Sequence, residues 1–197
     1  MEALSVPLFP LNTVLFPGGP LPLRIFEPRY LDMVARCVKN DSAFGVCLIE
    51  DGREAGDAAV PHSIGTLARI IDWDKLPDGM LGIVALGGDR FHIESTEVGS
   101  NQLIHGAVTL LPEPASSILP SELEILPRVL EEIIAEAGPL YEALEPNYGD
   151  SNWIGYRLAE ILPLDLPLRQ HLLEQEDSLT RLREIHSSIE VFMEKNT

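Results

Sequence analysis

The chain has 197 residues, 45% of them hydrophobic, and a formal net charge of -17 from 31 acids against 14 bases. That is enough apolar material for a sizeable core, and it excludes a disordered or fibrous chain. The charge argues against nucleic acid, whose phosphates call for clustered Lys and Arg, and against an anionic membrane surface. Prolines then cut the N-terminus into short extended pieces: Pro7-Leu8-Phe9-Pro10-Leu11, Val14-Leu15-Phe16-Pro17-Gly18, and Leu21-Pro22-Leu23-Arg24-Ile25-Phe26-Glu27-Pro28-Arg29-Tyr30. Pro28 suits the first position of a helix, where its missing N–H costs nothing, and Leu31, Val34, Ala35 and Val38 follow at helical spacing. The prediction is strand, proline-kinked turn, strand, then a helix over 28–39.

Five more strands are predicted at 43–49, 64–73, 80–86, 91–98 and 103–111, separated by the turn signals Pro77-Asp78-Gly79, Gly87-Gly88 and Gly99-Ser100-Asn101. Closely spaced antiparallel strands with few edges favour a barrel or a curled sheet. Cys37 and Cys47 are too few for a disulfide scaffold and are expected to be reduced, buried thiols. No run approaches the roughly 20 apolar residues of a membrane span. The first apolar pieces lack a basic leader and are broken by proline, so a secretion signal is not expected and the cytoplasm is.

Pro112-Glu113-Pro114, followed by Ala115-Ser116-Ser117, reads as a linker between a β-rich part, 1–112, and a helical part, 113–197. Ser121 with Glu124 has the form of a capping box, Pro127 is expected to interrupt the first turns, and Val129, Leu130, Ile133, Ile134 and Ala137 mark an apolar face up to Gly138-Pro139. Ser151 is expected to cap a second helix carrying Ile154, Leu158, Ile161 and Leu162. Asp165 caps a short third with Pro167 in its first turn, and Asp177 or Ser178 starts a fourth carrying Leu179, Leu182, Ile185, Ile189 and Phe192. Residues 1–112 carry 14 acids and 8 bases, the rest 17 and 6. Such a surplus solvates an outer face, or selects basic segments of another chain.

The N-terminal proline pattern resembles the Lon N-terminal domain, the substrate-binding module of ATP-dependent Lon proteases that also occurs as stand-alone proteins. Gly65-Thr66-Leu67-Ala68-Arg69-Ile70, Leu76-Pro77-Asp78-Gly79, Gly87-Gly88-Asp89-Arg90-Phe91-His92-Ile93 and the stretch from Leu162-Pro163-Leu164 through Arg169-Gln170 to Leu172-Leu173-Glu174 are similar to that family as well. The resemblance implies an α+β fold, with an N-terminal PUA-like, barrel-like antiparallel sheet holding one inserted helix and then a C-terminal helical bundle. It also implies recognition of unfolded or degron-bearing polypeptide, or of a protease partner, without the ATPase and protease modules of a complete Lon.

The residues themselves agree on the missing chemistry. No Gly-Lys pair closes a phosphate-binding loop, since Lys39, Lys75 and Lys195 follow Val38, Asp74 and Glu194. Gly149-Asp150-Ser151-Asn152-Trp153 fails the nucleophile-elbow pattern at its last position. His62, His92, His105, His171 and His186 lack metal-ligand spacing. No catalytic residue, cofactor or metal is expected, and the chain is read as a non-catalytic interaction module.

Arg24, Phe26, Arg29 and Tyr30 put two guanidinium groups and two aromatic rings at a strand-to-helix junction, a composition common at binding hot spots. Phe26 could equally be core, and the arginines could pair with Glu27 or a helical acid. Trp73 and Met80 bracket the Pro77-Asp78-Gly79 turn and form either an apolar platform for a peptide or a lid on the sheet. Addition of an extended peptide to an exposed sheet edge is the expected binding mode. The competing reading is a small-molecule binder or an enzyme with an unrecognised site between the β-rich and helical parts.

Overall fold

The computed structural model describes residues 4–195, without the side chains of residue 142 and residues 191–195. The chain divides after Pro112 into two compact units. The first holds β1 (Leu4–Leu11), β2 (Pro20–Ile25), α1 (Pro28–Asn40), β3 (Phe44–Asp51), β4 (Val60–Pro61), β5 (Ile64–Lys75), β6 (Leu81–Val98) and β7 (Ile104–Leu110). The strands pair in the order β1-β7-β6-β5-β3, and β1 pairs β3 as well, so the ladder returns on itself. β4 borders β3, and β2 lies beside the first half of β6.

The α+β class, the curled sheet and the inserted helix agree with the expectation, but the sheet is not a clean barrel. β2, the start of β6 and the end of β5 project from the ring as a three-stranded arm. One pairing, β1 with β3, is parallel. Parallel neighbours need a crossover, which β2 and α1 supply.

Gly87-Gly88 does not make the turn its composition predicts. β6 runs through it as one strand of 18 residues. Gly87 donates its N–H to the Gly19 carbonyl at 2.9 Å and accepts from the Gly18 N–H at 2.8 Å. A Cβ on Gly87 would lie 2.2 Å from the Phe16 carbonyl oxygen, so glycine here permits the close approach of another backbone.

Apolar side chains form two clusters in this unit. Leu8 and Phe91 fill one, with Val6, Cys47, Ile104 and Val108. Space there is so narrow that a Cβ on Gly45, Gly65 or Gly106 would meet Leu8 or Phe91 at 2.9 Å or less. The second packs α1 onto the sheet through Tyr30, Met33, Val34 and Cys37, against Phe9, Phe44, Ala68, Ile83 and Ala85. The helix begins at Pro28 as predicted and ends at Asp41 in the left-handed conformation, but its buried stripe differs from the one predicted. Leu31, Ala35 and Val38 face out, and only Val34 of that set is buried. Both thiols are free and buried, and burial pushes Cys47 up to about 12.

The second unit begins with a 3-10 turn at Ser121–Leu123, followed by α2 (Leu126–Glu136), α3 (Pro139–Glu142), α4 (Ser151–Ile161), α5 (Leu166–Glu174) and α6 (Ser178–Lys195). The capping box does not form: Ser121 lies inside the 3-10 turn, and neither that turn nor α2 has a side-chain cap. Pro127 sits in the first turn of α2 instead of interrupting it, because that turn needs no N–H from it. Asp150, not Ser151, caps α4, accepting from the N–H groups of Asn152 at 2.7 Å and Trp153 at 3.3 Å. Asp165 caps α5 as predicted, accepting from Leu168 N–H at 2.9 Å. On α6, Leu182 and Ile185 are buried, while the Phe192 side chain lies outside the described residues.

The hydroxyl of Ser151, freed from capping, joins a buried chain that pins the 114–117 segment. Asn152 Nδ2 donates to Pro114 O at 2.6 Å, Ser178 Oγ to Ala115 O at 3.1 Å, and Ser117 N–H to Ser151 Oγ at 2.9 Å. The stretch that reads as a loose linker is therefore strapped to α4 and α6.

Glu160 lies 3.2 Å from Arg157, and both are buried within this unit. Burial raises the Glu160 carboxyl from its ordinary 4.5 to about 7, against the pull of Arg157 and Arg169. The folded state thus holds this proton more tightly than the unfolded one. The cost of ionised Glu160 is full above about pH 7 and disappears below 4.5. Lowering the pH from 7 to 5 is expected to raise stability by about 2 kcal/mol for a shift of this size. Urea unfolding of the wild type and Glu160→Gln at both pH values checks this, and the prediction fails if the two chains show the same pH slope.

Candidate functional site

The arm formed by β2, β6 and β5 has two faces, set by strand register. Pro22, Val84 and Asp72 form one cross-strand row, and Arg24, Gly82 and Asp74 the next, so all six point to the outer face. Gly82 leaves the middle of the second row empty and Leu76 leans over it, its Cδ2 2.9 Å from where a Cβ would stand. The result is an open apolar trough of about 490 Å³, rimmed by Arg24, Asp72 and Asp74, with Trp73 at its side. Arg24 is held over the rim by an ion pair with Asp78 of the neighbouring turn.

On the opposite face Leu23, Ile83 and Trp73 form a row beneath α1. A groove of about 290 Å³ runs there between Trp73 and the outward stripe of α1, Leu31, Ala35 and Val38. A smaller space of about 150 Å³ continues it along Ile70 and Ile71 to the end of α1 at Asp41 and Ser42. Trp73 is 58% exposed and borders all three spaces.

The strand-to-helix junction holds a further cavity of about 270 Å³, lined by Arg24, Phe26, Tyr30, Glu27 and Glu54 among others. Phe26 is 61% exposed there. Arg29 and Tyr30 turn inward. Arg29 pairs with Glu27 at 2.9 Å, donates to Gln102 O at 3.0 Å and lies 4.8 Å from the Tyr30 ring. Tyr30 stacks on Phe9 with ring centres 3.9 Å apart. Burial raises its phenol pKa, Arg29 opposes this, and Glu27 and Glu54 add to it.

Of the six residues singled out from sequence, the structure therefore puts Arg24 and Trp73 on the trough and Arg24, Phe26 and Tyr30 on the junction cavity. Arg29 supports that junction from below. Met80 is half-buried on the turn, its carbonyl accepting from Leu76 N–H at 2.8 Å, and it lines none of these spaces. Leu31, Val38, Ile71, Asp72, Asp74 and Leu76 belong to the surface and were not among the six. Their signal is a helix apolar on more than one stripe and a tryptophan set between two aspartates.

The sheet arm thus carries an open apolar groove on each of its two faces. Residues 5–191 match the family model described as the ATP-dependent protease La (LON) substrate-binding domain, and the chain belongs to that family. A crystal structure of a Lon N-terminal domain protein from Xanthomonas campestris is 38% identical, with a TM-score of 0.78 over 93% of this chain and 98% of that one. The N-terminal domain of a Mycobacterium avium complex Lon protease, at 19% identity and TM-score 0.63, has the same fold. Among full-length relatives, the Lon protease of Cytophaga hutchinsonii is 25% identical over 89% of this chain, and that of Parabacteroides distasonis 30% identical over 66%. The aligned segments make up only 23% and 16% of those two proteases.

Proposed function

We propose that this chain is a non-catalytic recognition module that holds exposed apolar segments of other polypeptides on the β2–β6–β5 arm and the neighbouring stripe of α1. A separate protease would act on the bound chain. The observation that carries this reading is Trp73, a large ring more than half exposed where two apolar spaces and a smaller, more polar one meet. Tryptophan so placed supplies contact area at little conformational cost, as at binding hot spots. Arg24 and Phe26 extend the surface toward the junction, while Arg29 and Tyr30 hold that junction in shape. The net charge of -17 supports a polypeptide over a nucleic acid as the ligand.

Binding of labelled, permanently unfolded lysozyme with alkylated cysteines, followed by fluorescence anisotropy, tests the proposal. Trp73→Ala is expected to weaken binding at least about tenfold, the scale of a hot-spot residue. Because the ring is exposed, the unfolding midpoint should barely move. Unchanged affinity in Trp73→Ala, or no binding by the wild type, would refute it.

A further inference from the structure

β5 outruns its neighbour. β3 pairs only with Thr66, Leu67 and Ala68, while β6 pairs with β5 as far as Lys75. Among the described residues no strand pairs with the other side of β5 beyond Ala68.

Register shows which backbone groups that side presents. Pro20 and Pro22 have no N–H, so Leu21, Leu23 and Ile25 are the residues of β2 that bond to β6. Their partners Ala85, Ile83 and Leu81 face β2, which leaves Leu86, Val84 and Gly82 to bond Arg69, Asp72 and Asp74 of β5. Trp73 and Lys75 therefore point their N–H and C=O groups away from the sheet. Those two N–H groups are occupied only by neighbouring carboxylates, Asp72 Oδ1 at 2.9 Å and Asp74 Oδ1 at 2.7 Å. The other border of the arm is closed to a strand, because Pro20 and Pro22 offer carbonyls without donors.

Resting on the reading above, we propose that an extended polypeptide alternating apolar and cationic residues adds as a strand to the free edge of β5 over Ile70–Lys75. Its carbonyls replace the Asp72 and Asp74 carboxylates on the N–H groups of Trp73 and Lys75. The displaced carboxylates are then free to pair with the cations of the incoming strand. Its apolar side chains enter the space between this edge and α1, against Val38, Ile71 and Trp73. A second copy of this chain is a poorer occupant: edge to edge it would set Asp72 and Asp74 against their own copies, between partners of -17 each.

The test uses a labelled peptide of about nine residues alternating Val and Lys, the length of a long strand. Two further versions carry N-methyl groups on alternate amides, one set in each. Strand addition buries only one set of amides against β5, so one methylated peptide is expected to bind at least about tenfold more weakly and the other like the parent. A Val–Glu peptide should also lose at least about tenfold, and Asp72→Asn with Asp74→Asn should abolish the preference for Lys over Glu. Lys75→Pro, which removes an outward N–H and leaves the bonds to β6 intact, should weaken the Val–Lys peptide while leaving the unfolding midpoint in place. Equal effects of the two methylation sets, with Trp73→Ala still disrupting binding, would overturn strand addition and leave the recognition reading standing. Failure of both the peptide and unfolded lysozyme to bind would remove the recognition reading itself. A concentration-dependent dimer lost in Lys75→Pro would assign the edge to a second copy and overturn the proposal.

Discussion

Gly87→Ala is expected to destabilise the first unit by about 3 kcal/mol or more, the range of changes that force backbone apart or strain it. The added methyl would stand 2.2 Å from the Phe16 carbonyl oxygen and 3.3 Å from Leu15 Cδ1. Neither neighbour yields cheaply, since the nearest contact is main chain and both residues are buried. Relieving the clash means moving the 16–19 turn off β6. That movement breaks the two reciprocal bonds, Gly87 N–H to Gly19 O and Gly18 N–H to Gly87 O. Gly88→Ala is the control, because its new methyl would meet nothing closer than Leu67 O at 3.5 Å. Urea unfolding should separate the two variants clearly, and equal midpoints would refute the packing argument.

Arg181→Met should have the largest effect in the helical unit. The guanidinium is fully buried, donates to Leu172 O at 2.9 Å, to Asn152 Oδ1 at 3.0 Å and to the Gln175 carbonyl, and lies 4.3 Å from the Tyr156 ring. Methionine fills much of the volume and leaves two buried acceptors and the half-buried Gln175 carbonyl without this donor. Each unmet buried group costs about 1–3 kcal/mol, so a total near 3 kcal/mol or above is expected. Arg181→Lys keeps the charge but cannot reproduce the planar fork that reaches three acceptors from one stem. It should recover only part of the loss. Thermal unfolding of the two variants beside the wild type decides it, and full stability in Arg181→Met would contradict this account.

Local chemistry made much of the fold legible. Proline placement marks β1, β2 and the start of α1, and the side chain of Asp165 caps the helix it precedes. What stays hidden depends on partners distant in sequence. The parallel pairing of Leu8 with Gly45 has no trace in either strand alone, and the same glycine chemistry that usually marks a turn serves at Gly87 to admit the Phe16 carbonyl. α1 is apolar at 30, 31, 33, 34, 35, 37 and 38, enough for two stripes, so spacing alone cannot choose which one the sheet covers.

The candidate site divides along the same line. Trp73 stands out because a tryptophan beside a turn is rare and large. The trough next to it depends on the missing side chain of Gly82 and on three strands aligning Pro22, Val84 and Asp72, which is register information. Asp72 and Asp74 are two acids among 31, and only their bonds to the outward N–H groups distinguish them.

The position of β1 between β3 and β7 also sets an order of events in the cell. Residues 4–11 are synthesised before both of their partners, one flank waiting for 45–48 and the other for 104–108. Through all of that synthesis Val6, Leu8, Phe9 and Leu11 lack their final cover, an exposed apolar segment open to wrong pairing. This strand is sealed only once β7 has been made.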